Sequence, residues 1–584
     1  MGFISLGIHD GHTSTACLLV DGRIAALASE ERFNRIKSYG GPPVRAVEWV
    51  LESNGLSPAE IDAITFAGTI DPIKDISAYT TGRHKMFSRM TRLLPPSILA
   101  SDALVGCYLD LKRKRRQKLS ESREILESLG KAPEEIDFVE HHEAHAYAAY
   151  FSSGFQYAEG ETLVVTCDGS GDGVCTTVSI GKGNELERIS QTPSYHSLGI
   201  LYSRVTQFLG MKPLEHEYKV MGLAPYAPEK TKKQAYEILS RYFGLSDDGL
   251  SFCNRSMTWG QSMLEKLQKD LFLIRFDGVA AALQQLCEEL LMQFVLNWVA
   301  KTGIRRLVLG GGMFMNVKFN MLLLERPEID EIFFMPSGGD ESVAIGAAYH
   351  AMLEKHRNGG AGNGVSPIQP IGPLYLGHEL TEDEIRRALV SYGSRIGFEK
   401  CEDIDRRTAG LLAGDRIVGR VRGRMEWGAR ALGNRSIVAS PRNLETVRKI
   451  NAAIKMRDFW MPFAPSILWE RRHDYLVNPR DFDAPYMIVA FDSTELARRE
   501  LAAGLHPFDL TCRPQLVRKD WNPSYHRMIR EFEKLTGIGG VLNTSFNLHG
   551  DPIVMNAEDA ISTLLNSGLD YITLEDYLVW RSLS

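Results

Sequence analysis

The chain has 584 residues, of which 24% are charged and 44% hydrophobic, and its formal net charge is -6. This length exceeds what one hydrophobic core supports, so two or more domains are expected, and the acidic balance gives no indication of a nucleic-acid partner. Eight scattered cysteines without a CxxC pair exclude zinc fingers and favour a reducing, cytoplasmic compartment, and no run of the sequence predicts a membrane span.

The beginning of the chain predicts a strand–loop–strand unit that recurs later. Its apolar runs are Phe3–Ile8, Ala16–Val20 and Arg23–Ala28. The Asp-Gly pair that separates the last two runs is a strong hairpin signal. Residues 162–188 repeat the plan around a glycine-rich turn at 167–173, which indicates a duplicated core. Such turns suit phosphate, because backbone N–H groups can point at its oxygens, while Asp168 or Asp172 can hold a cation.

Two charged segments are expected to be exposed to solvent. Residues 30–37 (EERFNRIK) favour a salt-bridged helix start. Residues 112–118 (KRKRRQK) lie in a helical stretch and lack the aromatic side chains that stack on nucleic-acid bases. Composition therefore favours a solvated helix face for both segments.

Residues 140–150 (EHHEAHAYAAY) predict a buried helix that carries three histidines. His141 and His145 are four residues apart, so they share one helical face at a spacing that suits a transition metal. Hydrogen-bonded core histidines would give the same pattern, because two ligands do not make a site. Asp340, which follows the predicted strand Glu331–Met335, is the candidate third ligand, although a helix N-cap explains it equally well.

Two further elements belong to the same predicted domain. Arg306–Leu309 predicts a buried strand that opens into a glycine triplet at 310–312, where a nucleotide can lie against the backbone. Gln284–Ala300 predicts an apolar helix that covers the sheet.

Residues 357–370 (RNGGAGNGVSPIQP) are the clearest linker, because they contain four glycines and two prolines. The predicted domains are therefore 1–356 and 371–584. The second domain carries arginines among small residues at 423–436 (GRMEWGARALGNRS), which predict clamps on a carboxylate or phosphate. Buried pairing with Glu426 is the alternative.

The motifs of the chain, taken together, resemble the NodU/CmcH carbamoyltransferase family, the O-carbamoyltransferases of antibiotic and nodulation-factor assembly. The resemblance covers nearly the whole chain. The matching segments are His12 with Ala16–Gly22, Glu30–Phe33, His141–Ala146, Asp168–Asp172, Lys219–Tyr226, Gly339–Ala348, Gly423–Ser436, Pro462–Ser466 and Asn543–Asn547.

The resemblance implies an α/β protein with two domains of different fold. The N-terminal domain is expected to have a duplicated actin/Hsp70-like (ribonuclease H-like) fold, and the C-terminal domain an α+β YrdC-like fold. The C-terminal domain is expected to make carbamoyl-adenylate from carbamoyl phosphate and ATP, with Mg as its companion ion. The N-terminal domain is expected to transfer the carbamoyl group to a hydroxyl of a small-molecule acceptor, a natural product or a sugar. Oligomeric state is open, with a homodimer as one candidate.

The resemblance also implies the site residues. The expected ligands of a divalent metal, iron(II) in this family, are His141, His145 and Asp340. The expected nucleotide-binding residues are Lys37, Asp168, Gly169, Gly311, Gly312 and Asn316. The expected carbamoyl phosphate-binding residues are Arg430, Lys455, Arg513, Ser545 and Asn547.

His12 is the predicted general base on the acceptor hydroxyl, since a neutral imidazole suits that role near pH 7, and a hydroxide held by the metal is the alternative. The family usually has Asp after this His, whereas Thr13 follows His12 here, and the pair His9-Asp10 three residues earlier also reads His-Asp. Residues 70–130 and 245–275 fit no motif and are expected to shape the acceptor pocket. Two other functions stay open at this point: a non-catalytic or regulatory binding protein that retains the fold, and an ATP-dependent kinase of the actin-like fold.

Overall fold

The computed structural model describes residues 2–72, 102–117, 122–359 and 367–582. Its contacts divide the chain into two compact units. The first consists of Met1–Glu30 and Ser38–Ile371, and the second of Glu31–Lys37 and Gly372–Ser584. Residues 360–366 of the predicted linker, and residues 73–101 and 118–121 of the predicted acceptor region, lie outside the described residues.

The first sheet of the first unit follows the predicted hairpin. Its strands are β1 (Ile4–His9), β2 (Thr15–Val20), β3 (Arg23–Ser29), β4 (Ala63–Ala67) and β5 (Ile136–Val139). They are arranged in the order β3-β2-β1-β4-β5, with β1, β2 and β3 antiparallel and β1, β4 and β5 parallel.

The second sheet of this unit repeats that topology. The next strands are β6 (Thr162–Gly171), β7 (Val174–Lys182), β8 (Glu185–Pro193), β9 (Phe243–Leu245), β10 (Phe252–Asn254), β11 (Arg306–Gly310) and β12 (Glu331–Phe334). The sheet order is β8-β7-β6-β11-β12, again with three antiparallel strands followed by parallel ones, and β9 and β10 form a separate pair. Two sheets of identical order confirm the predicted duplication and the actin/Hsp70-like class.

Two helices of the first unit bring the halves of the duplication together. The helix His141–Ser153 packs on β6 and β11, and the helix Val343–Gly359 packs on β1 and β4 as well as on the first helix. Glycine permits this close approach, because a Cβ atom at Gly346 would lie 1.8 Å from the carbonyl oxygen of Ala144. The other helices of this unit are Val44–Glu52, Asp102–Arg116, Arg123–Leu129, Leu198–Phe208, Glu217–Leu223, Glu229–Leu239, Gln261–Asp270, Phe276–Thr302 and Val317–Leu324.

The long apolar helix Phe276–Thr302 packs chiefly against other helices, among them Glu229–Leu239 and Leu198–Phe208, so the prediction that it covers the sheet was wrong. Within the described residues it is the one helix long and apolar enough to cross a membrane, but 67% of its most apolar window is buried inside the protein. Such burial is typical of a core helix.

The second unit is built on one mixed eight-stranded sheet, as expected for an α+β domain. The strands are β13 (Ile396–Lys400), β14 (Val418–Val421), β15 (Arg435–Ala439), β16 (Ala464–Leu468), β17 (Leu476–Val477), β18 (Asp492–Ser493), β19 (Gln515–Val517), β20 (Gly540–Ser545), β21 (Tyr571–Leu574) and β22 (Tyr577–Arg581). The sheet order is β13-β22-β21-β14-β15-β20-β16-β19, and β17 pairs with β18 alone. The helices are Glu31–Asn34, Glu382–Tyr392, Ile404–Ala413, Leu444–Ile450, Arg472–Tyr475, Glu495–Glu500, Pro523–Thr536 and Ala557–Leu565.

The segment Glu31–Lys37 belongs to the second unit, although the predicted first domain, 1–356, includes it. Arg32 is buried and donates to the carbonyl oxygen of Gly428 at 3.2 Å. Arg35 donates to the carbonyl oxygens of Ile553 and Pro552 at 2.7 and 2.9 Å. The expectation of a solvated helix start was therefore wrong here, because these arginines bond to backbone that is distant in sequence.

The described part of the basic run, residues 112–117, is solvated only in part. Arg116 is 1% exposed and makes a two-pronged ion pair with Asp10, at 2.6 and 2.7 Å. Its guanidinium also lies over the rings of Phe66 and Phe138. The predicted solvated face is therefore wrong for Arg116, whose partner in the first loop could not be read from the run itself.

Candidate active site

Four side chains of the first unit converge on one point. His141 and His145 come from one helix, Asp168 from the irregular end of β6, and Asp340 from the turn before the helix Val343–Gly359. One ligand atom of each lies within 4.8 Å of the other three. The Nε2 atom of His141 is 3.5 Å from Asp168 Oδ2 and 3.6 Å from Asp340 Oδ1, and that of His145 is 4.0 and 3.7 Å from the same atoms. We call these four residues the ligand group.

The four histidine–carboxylate separations in the ligand group, 3.5 to 4.0 Å, fit a single metal ion. Ligand atoms that each lie about 2.1 Å from an ion are at most about 4.2 Å apart. Two imidazoles and two carboxylates form a donor set that suits iron, manganese or zinc. The side chain of His145 is fully buried, whereas that of Asp340 is 26% exposed, so the group is accessible at its Asp340 edge. Asp168, which the sequence analysis assigned to the nucleotide, is thus a fourth member of this group.

His142 shows what a core histidine looks like in the same helix. Its Nδ1 atom is 2.7 Å from Thr166 Oγ1, and its Nε2 atom is 3.1 Å from the carbonyl oxygen of Val174. The Nε2 atoms of His141 and His145 are also buried, yet they have no hydrogen-bond partner among the residues that the structure describes. Buried nitrogen atoms in that state are expected to bind something. The alternative of hydrogen-bonded core histidines therefore applies to His142 but not to its two neighbours.

The charges of the ligand group favour a cation at its centre. Burial opposes the charge on His141, but the neighbouring carboxylates of Asp168 and Asp340 outweigh it and raise the pKa of His141 to about 9. Burial likewise opposes ionisation of Asp168, but His141 and His145 hold its pKa well below the usual range. The pKa of Asp340 is lowered too, because His145 and His141 outweigh its burial and the Asp168 charge. Both carboxylates are therefore ionised at neutral pH.

Asp172, the other acidic residue of this loop, is used to hold the backbone. Its carboxylate accepts hydrogen bonds from the N–H groups of Thr69, Ile70 and His141, at 2.8 to 2.9 Å. It joins the first sheet to the start of the histidine helix. Of the two aspartates proposed from the sequence, Asp168 rather than Asp172 is therefore the one available to a cation.

The glycine-rich turn at 167–173 and the glycine loop at 310–312 meet beside the ligand group. The N–H of Gly312 donates to Asp168 Oδ1 at 3.1 Å. Gly311 has a φ of 97°, and a Cβ atom there would lie 2.3 Å from the carbonyl oxygen of Cys167, so only glycine fits. Around Gly169 a Cβ atom would meet nothing within 4 Å, so this part of the loop has space beside it.

Asn316 follows the glycine loop but is already engaged. Its side chain caps the helix Val317–Leu324 by accepting from the N–H of Phe319 at 3.1 Å. Its amide also exchanges two hydrogen bonds with the amide of Gln284, at 3.0 and 3.1 Å. The structure thus gives Asn316 a complete structural role, and its predicted contact with a nucleotide stays a prediction.

His12, the predicted general base, is not a member of the ligand group. Its carbonyl oxygen accepts from Thr13 Oγ1 at 2.6 Å. His9, which the sequence analysis did not assign, lies beside the group, because the centroid of its ring is 6.3 Å from that of His141. Burial lowers the pKa of His9 to about 4, so its ring is neutral at physiological pH. The signal in the sequence was the His9-Asp10 pair just ahead of His12.

The second unit contains a set of positively charged side chains that act on one another, which we call the cationic group: Lys37, Arg430, Lys455, Arg457 and Arg513. The Nζ of Lys455 donates to Ser545 Oγ at 3.1 Å and to Asn547 Oδ1 at 2.6 Å, so the structure brings together three predicted carbamoyl phosphate residues. Burial, and then the charges of Arg430 and Arg457, lower the pKa of Arg513 well below its usual value.

Arg457 links the two parts of this cationic group. Burial, and then the charges of Arg457 and Lys37, lower the pKa of Lys455. Arg457 also donates to Thr544 Oγ1 at 3.0 Å. Lys37 therefore lies with the second unit rather than in the set of Asp168 and the glycine loops to which it was assigned. Cations that repel one another in this way form a site that favours an anion.

The arginines of the 423–436 motif have different roles. Arg435 is fully buried and donates to the carbonyl oxygens of Met555, Gly423, Asn434 and His378. Arg424 donates to the carbonyl oxygens of Leu376 and Gly377. These two arginines hold backbone in place, so the prediction of anion clamps is wrong for them.

Glu426, the alternative partner for these arginines, also bonds to backbone. Its carboxylate accepts from the N–H groups of Leu432, Asn434 and Arg435, at 2.6 to 3.2 Å. Of the arginines in the motif, Arg430 is the one that belongs to the cationic group.

Two family models match the chain. A model described as carbamoyltransferase N-terminus matches residues 4–349, and one described as carbamoyltransferase C-terminus matches residues 409–581. Together they cover most of the sequence.

Individual relatives agree with these matches. The nodulation protein NolNO of Sinorhizobium fredii is 32% identical over 579 residues, which cover 98% of this chain and 79% of that protein. The 3'-hydroxymethylcephem-O-carbamoyltransferase of Amycolatopsis lactamdurans is 28% identical over 280 residues, covering 46% of this chain and 48% of that one. Among solved structures, full-length HypF in a phosphate- and nucleotide-bound form is similar with a TM-score of 0.32 and 12% identity, covering 60% of this chain and 55% of that one.

Proposed function

Because this chain belongs to the carbamoyltransferase family, we propose that it is an O-carbamoyltransferase that uses carbamoyl phosphate and ATP to carbamoylate a hydroxyl group of a small molecule. The observation that carries this proposal is the cationic group of the second unit, in which Lys455 contacts Ser545 and Asn547, and the charge of Arg430 acts on the buried Arg513. Carbamoyl phosphate is a small dianion, and such a group matches its charge.

The proposed reaction of the second unit makes carbamoyl-adenylate. Hydrolysis of carbamoyl phosphate gives carbamate and phosphate, so one water is consumed. A carbamate oxygen then attacks the α-phosphorus of ATP, and the bond to pyrophosphate breaks. The guanidinium groups of Arg430 and Arg513 would bind phosphate oxygens in pairs, and Lys455 would neutralise them as a point charge. ATP is expected to enter with Mg²⁺ bound to its phosphates.

The proposed reaction of the first unit transfers the carbamoyl group. The acceptor hydroxyl oxygen forms a bond to the carbamoyl carbon, the bond from that carbon to AMP breaks, and the hydroxyl proton goes to a base, for which His12 is proposed. The adenylate would lie between the Asp168 loop and the Gly311-Gly312 loop, beside Gly169, where the loop leaves space. His141, His145, Asp168 and Asp340 would hold a divalent metal, iron(II) by family resemblance, and that metal would supply Lewis acidity when bound.

A pair of arginine variants tests the adenylation assignment. Arg430→Met should abolish carbamoyl phosphate-dependent pyrophosphate release, because it removes charge from the anion site. Arg448→Met is the matched control, since Arg448 is an exposed arginine of the same unit that pairs with Glu445. The control should retain at least about half of the activity. Equal rates in the two variants would remove Arg430 from the site.

His145→Ala should behave in the opposite way, because it alters the first unit only. It is expected to retain pyrophosphate release and to lose transfer. If His145→Ala and Arg430→Met lose the same half-reaction, the proposed division of work between the units is wrong.

A further inference from the structure

His9 occupies a place that the proposed function leaves unexplained. It is the last residue of β1 and is 1% exposed. Its ring lies edge-on to that of His141, with 66° between the ring planes. Besides burial, the charges with the largest effect on its pKa are those of Asp340 and His141, followed by that of Asp10. A buried imidazole from the first sheet therefore borders the ligand group, whereas His141 and His145 come from the helix His141–Ser153.

The hydrogen bonds of His9 fix its tautomer. The Nε2 atom lies 3.1 Å from the carbonyl oxygen of His12, which can only accept, so Nε2 carries the hydrogen. The Nδ1 atom then carries a lone pair that can accept a hydrogen bond, and this atom is buried from solvent. No residue within the described parts of the chain bonds to Nδ1. A buried acceptor left in this state costs about 1–3 kcal/mol, so a partner from outside the chain is expected.

The loop that carries His9 is held rigidly. The next residue, Asp10, is fully buried and bonds to Arg116 and to the hydroxyl of Ser122, so its carboxylate is occupied. A Cβ atom at Gly11 would lie 2.7 Å from Cε1 of His9, which shows how closely the loop packs on the ring. The orientation of Nδ1 is thus fixed before any ligand arrives.

We propose that Nδ1 of His9 accepts a hydrogen bond from the hydroxyl group that attacks the carbamoyl carbon and orients that hydroxyl beside the ligand group. Because an alcohol hydroxyl carries a single hydrogen, its proton then passes to His9 rather than to His12. This inference rests on the proposed function. It makes His9 the residue of the transfer site that positions the hydroxyl and receives its proton, and it assigns the ligand class as a hydroxyl, either of water or of the acceptor. The neighbouring Asp10 cannot take this role, because Arg116 and Ser122 occupy it.

Two substitutions separate the two nitrogen atoms of His9. His9→Gln keeps a donor that can reach the carbonyl oxygen of His12 but removes the acceptor at the Nδ1 position. His9→Asn places an amide oxygen near the Nδ1 position but loses the bond to His12. If His9 only holds the loop, the glutamine variant should be the milder one. If Nδ1 binds the hydroxyl, the asparagine variant should be the milder one.

The test uses water as the hydroxyl, so it needs no identified acceptor. Wild-type protein mixed with ATP and carbamoyl phosphate should give a burst of about one pyrophosphate per chain, followed by slow release of AMP as water attacks the adenylate. In His9→Gln the burst and the bound metal should be unchanged, while the slow AMP release should fall about 100-fold. In His9→Asn the slow release should stay within about tenfold of the wild-type rate.

The outcomes are distinguishable from failure of the proposed function. No burst in the wild-type protein would overturn the adenylation proposal. A normal burst with unchanged AMP release in His9→Gln would overturn the role of His9 alone. Loss of bound metal in His9→Gln, or a larger loss of AMP release in His9→Asn than in His9→Gln, would assign His9 a structural role instead.

Discussion

His141 and His145 differ from His142 in what their ring nitrogens face, and metal content should separate them. His145→Ala removes one ligand atom of the ligand group and should lower bound metal by at least about tenfold. His142→Gln breaks the bonds to Thr166 and Val174. It should lower the melting temperature while metal per chain stays the same. The measurement is metal analysis by mass spectrometry, and equal metal content in wild-type protein and His145→Ala would remove that ligand.

The protonation of His141 should make the stability of the metal-free protein depend on pH. Folding raises its pKa from 6.5 to about 9, because Asp168 and Asp340 outweigh the effect of burial. The raised pKa stabilises the folded state fully below pH 6.5, and this contribution is lost as the pH rises through 9. It amounts to roughly 3 kcal/mol.

Urea unfolding of chelator-treated protein at about pH 6 and about pH 9.5 measures this contribution. The free energy of unfolding should be lower at the higher pH, and His141→Gln should reduce the difference. A difference that is the same in the variant and the wild-type protein would show that His141 is not its source.

At the scale of elements, the packing of β6 against the histidine helix depends on one glycine. A Cβ atom at Gly171 would lie 2.0 Å from the ring of His141, whereas one at Gly169 would meet nothing within 4 Å. Gly171→Ala should therefore displace His141, lower bound metal and destabilise the fold by about 1–3 kcal/mol. Gly169→Ala is the matched control and should retain metal. Equal metal content in the two variants would contradict the close packing of Gly171 on His141.

The helix Asp102–Arg116 is joined to the first loop by a buried ion pair. Arg116→Met leaves Asp10 charged and buried, so the free energy of unfolding should fall by about 3–5 kcal/mol. Arg115→Met is the matched control, because the side chain of Arg115 is 63% exposed, and it should change stability by less than about 1 kcal/mol. Urea unfolding measures the free energy of unfolding of both variants. A loss of similar size in the control would mean that the buried ion pair stabilises the fold no more than an exposed arginine does.

The same elements show what sequence patterns could and could not predict. The first three strands of the first sheet were predicted because Asp21-Gly22 is a local turn signal that separates apolar runs. The burial of Arg116 could not be predicted, because its partner Asp10 is 106 residues away. Asp168 was assigned to a loop of the right composition, but its place beside His141 depends on the pairing of β6 with its neighbours. Local turns and loop composition could be predicted from the sequence, whereas contacts between residues distant in sequence could not.

At the scale of the whole molecule, the duplication was readable because two segments repeat one plan of strands and turns. The membership of Glu31–Lys37 in the second unit could not be predicted. It depends on bonds from Arg32 and Arg35 to backbone that is about 400 to 520 residues away. The predicted site residues fall into two sets accordingly. The ligand group lies in the first unit, and the cationic group, now including Lys37 and Arg457, lies in the second.

Activation of carbamoyl phosphate with ATP is the step on which the proposed function depends. Pyrophosphate release from ATP by the purified full-length protein, with and without carbamoyl phosphate and with no acceptor added, measures that step alone. We expect release that depends on carbamoyl phosphate and is lost in Arg430→Met. Absence of release under these conditions, with iron(II) and Mg²⁺ supplied, would contradict the proposed function.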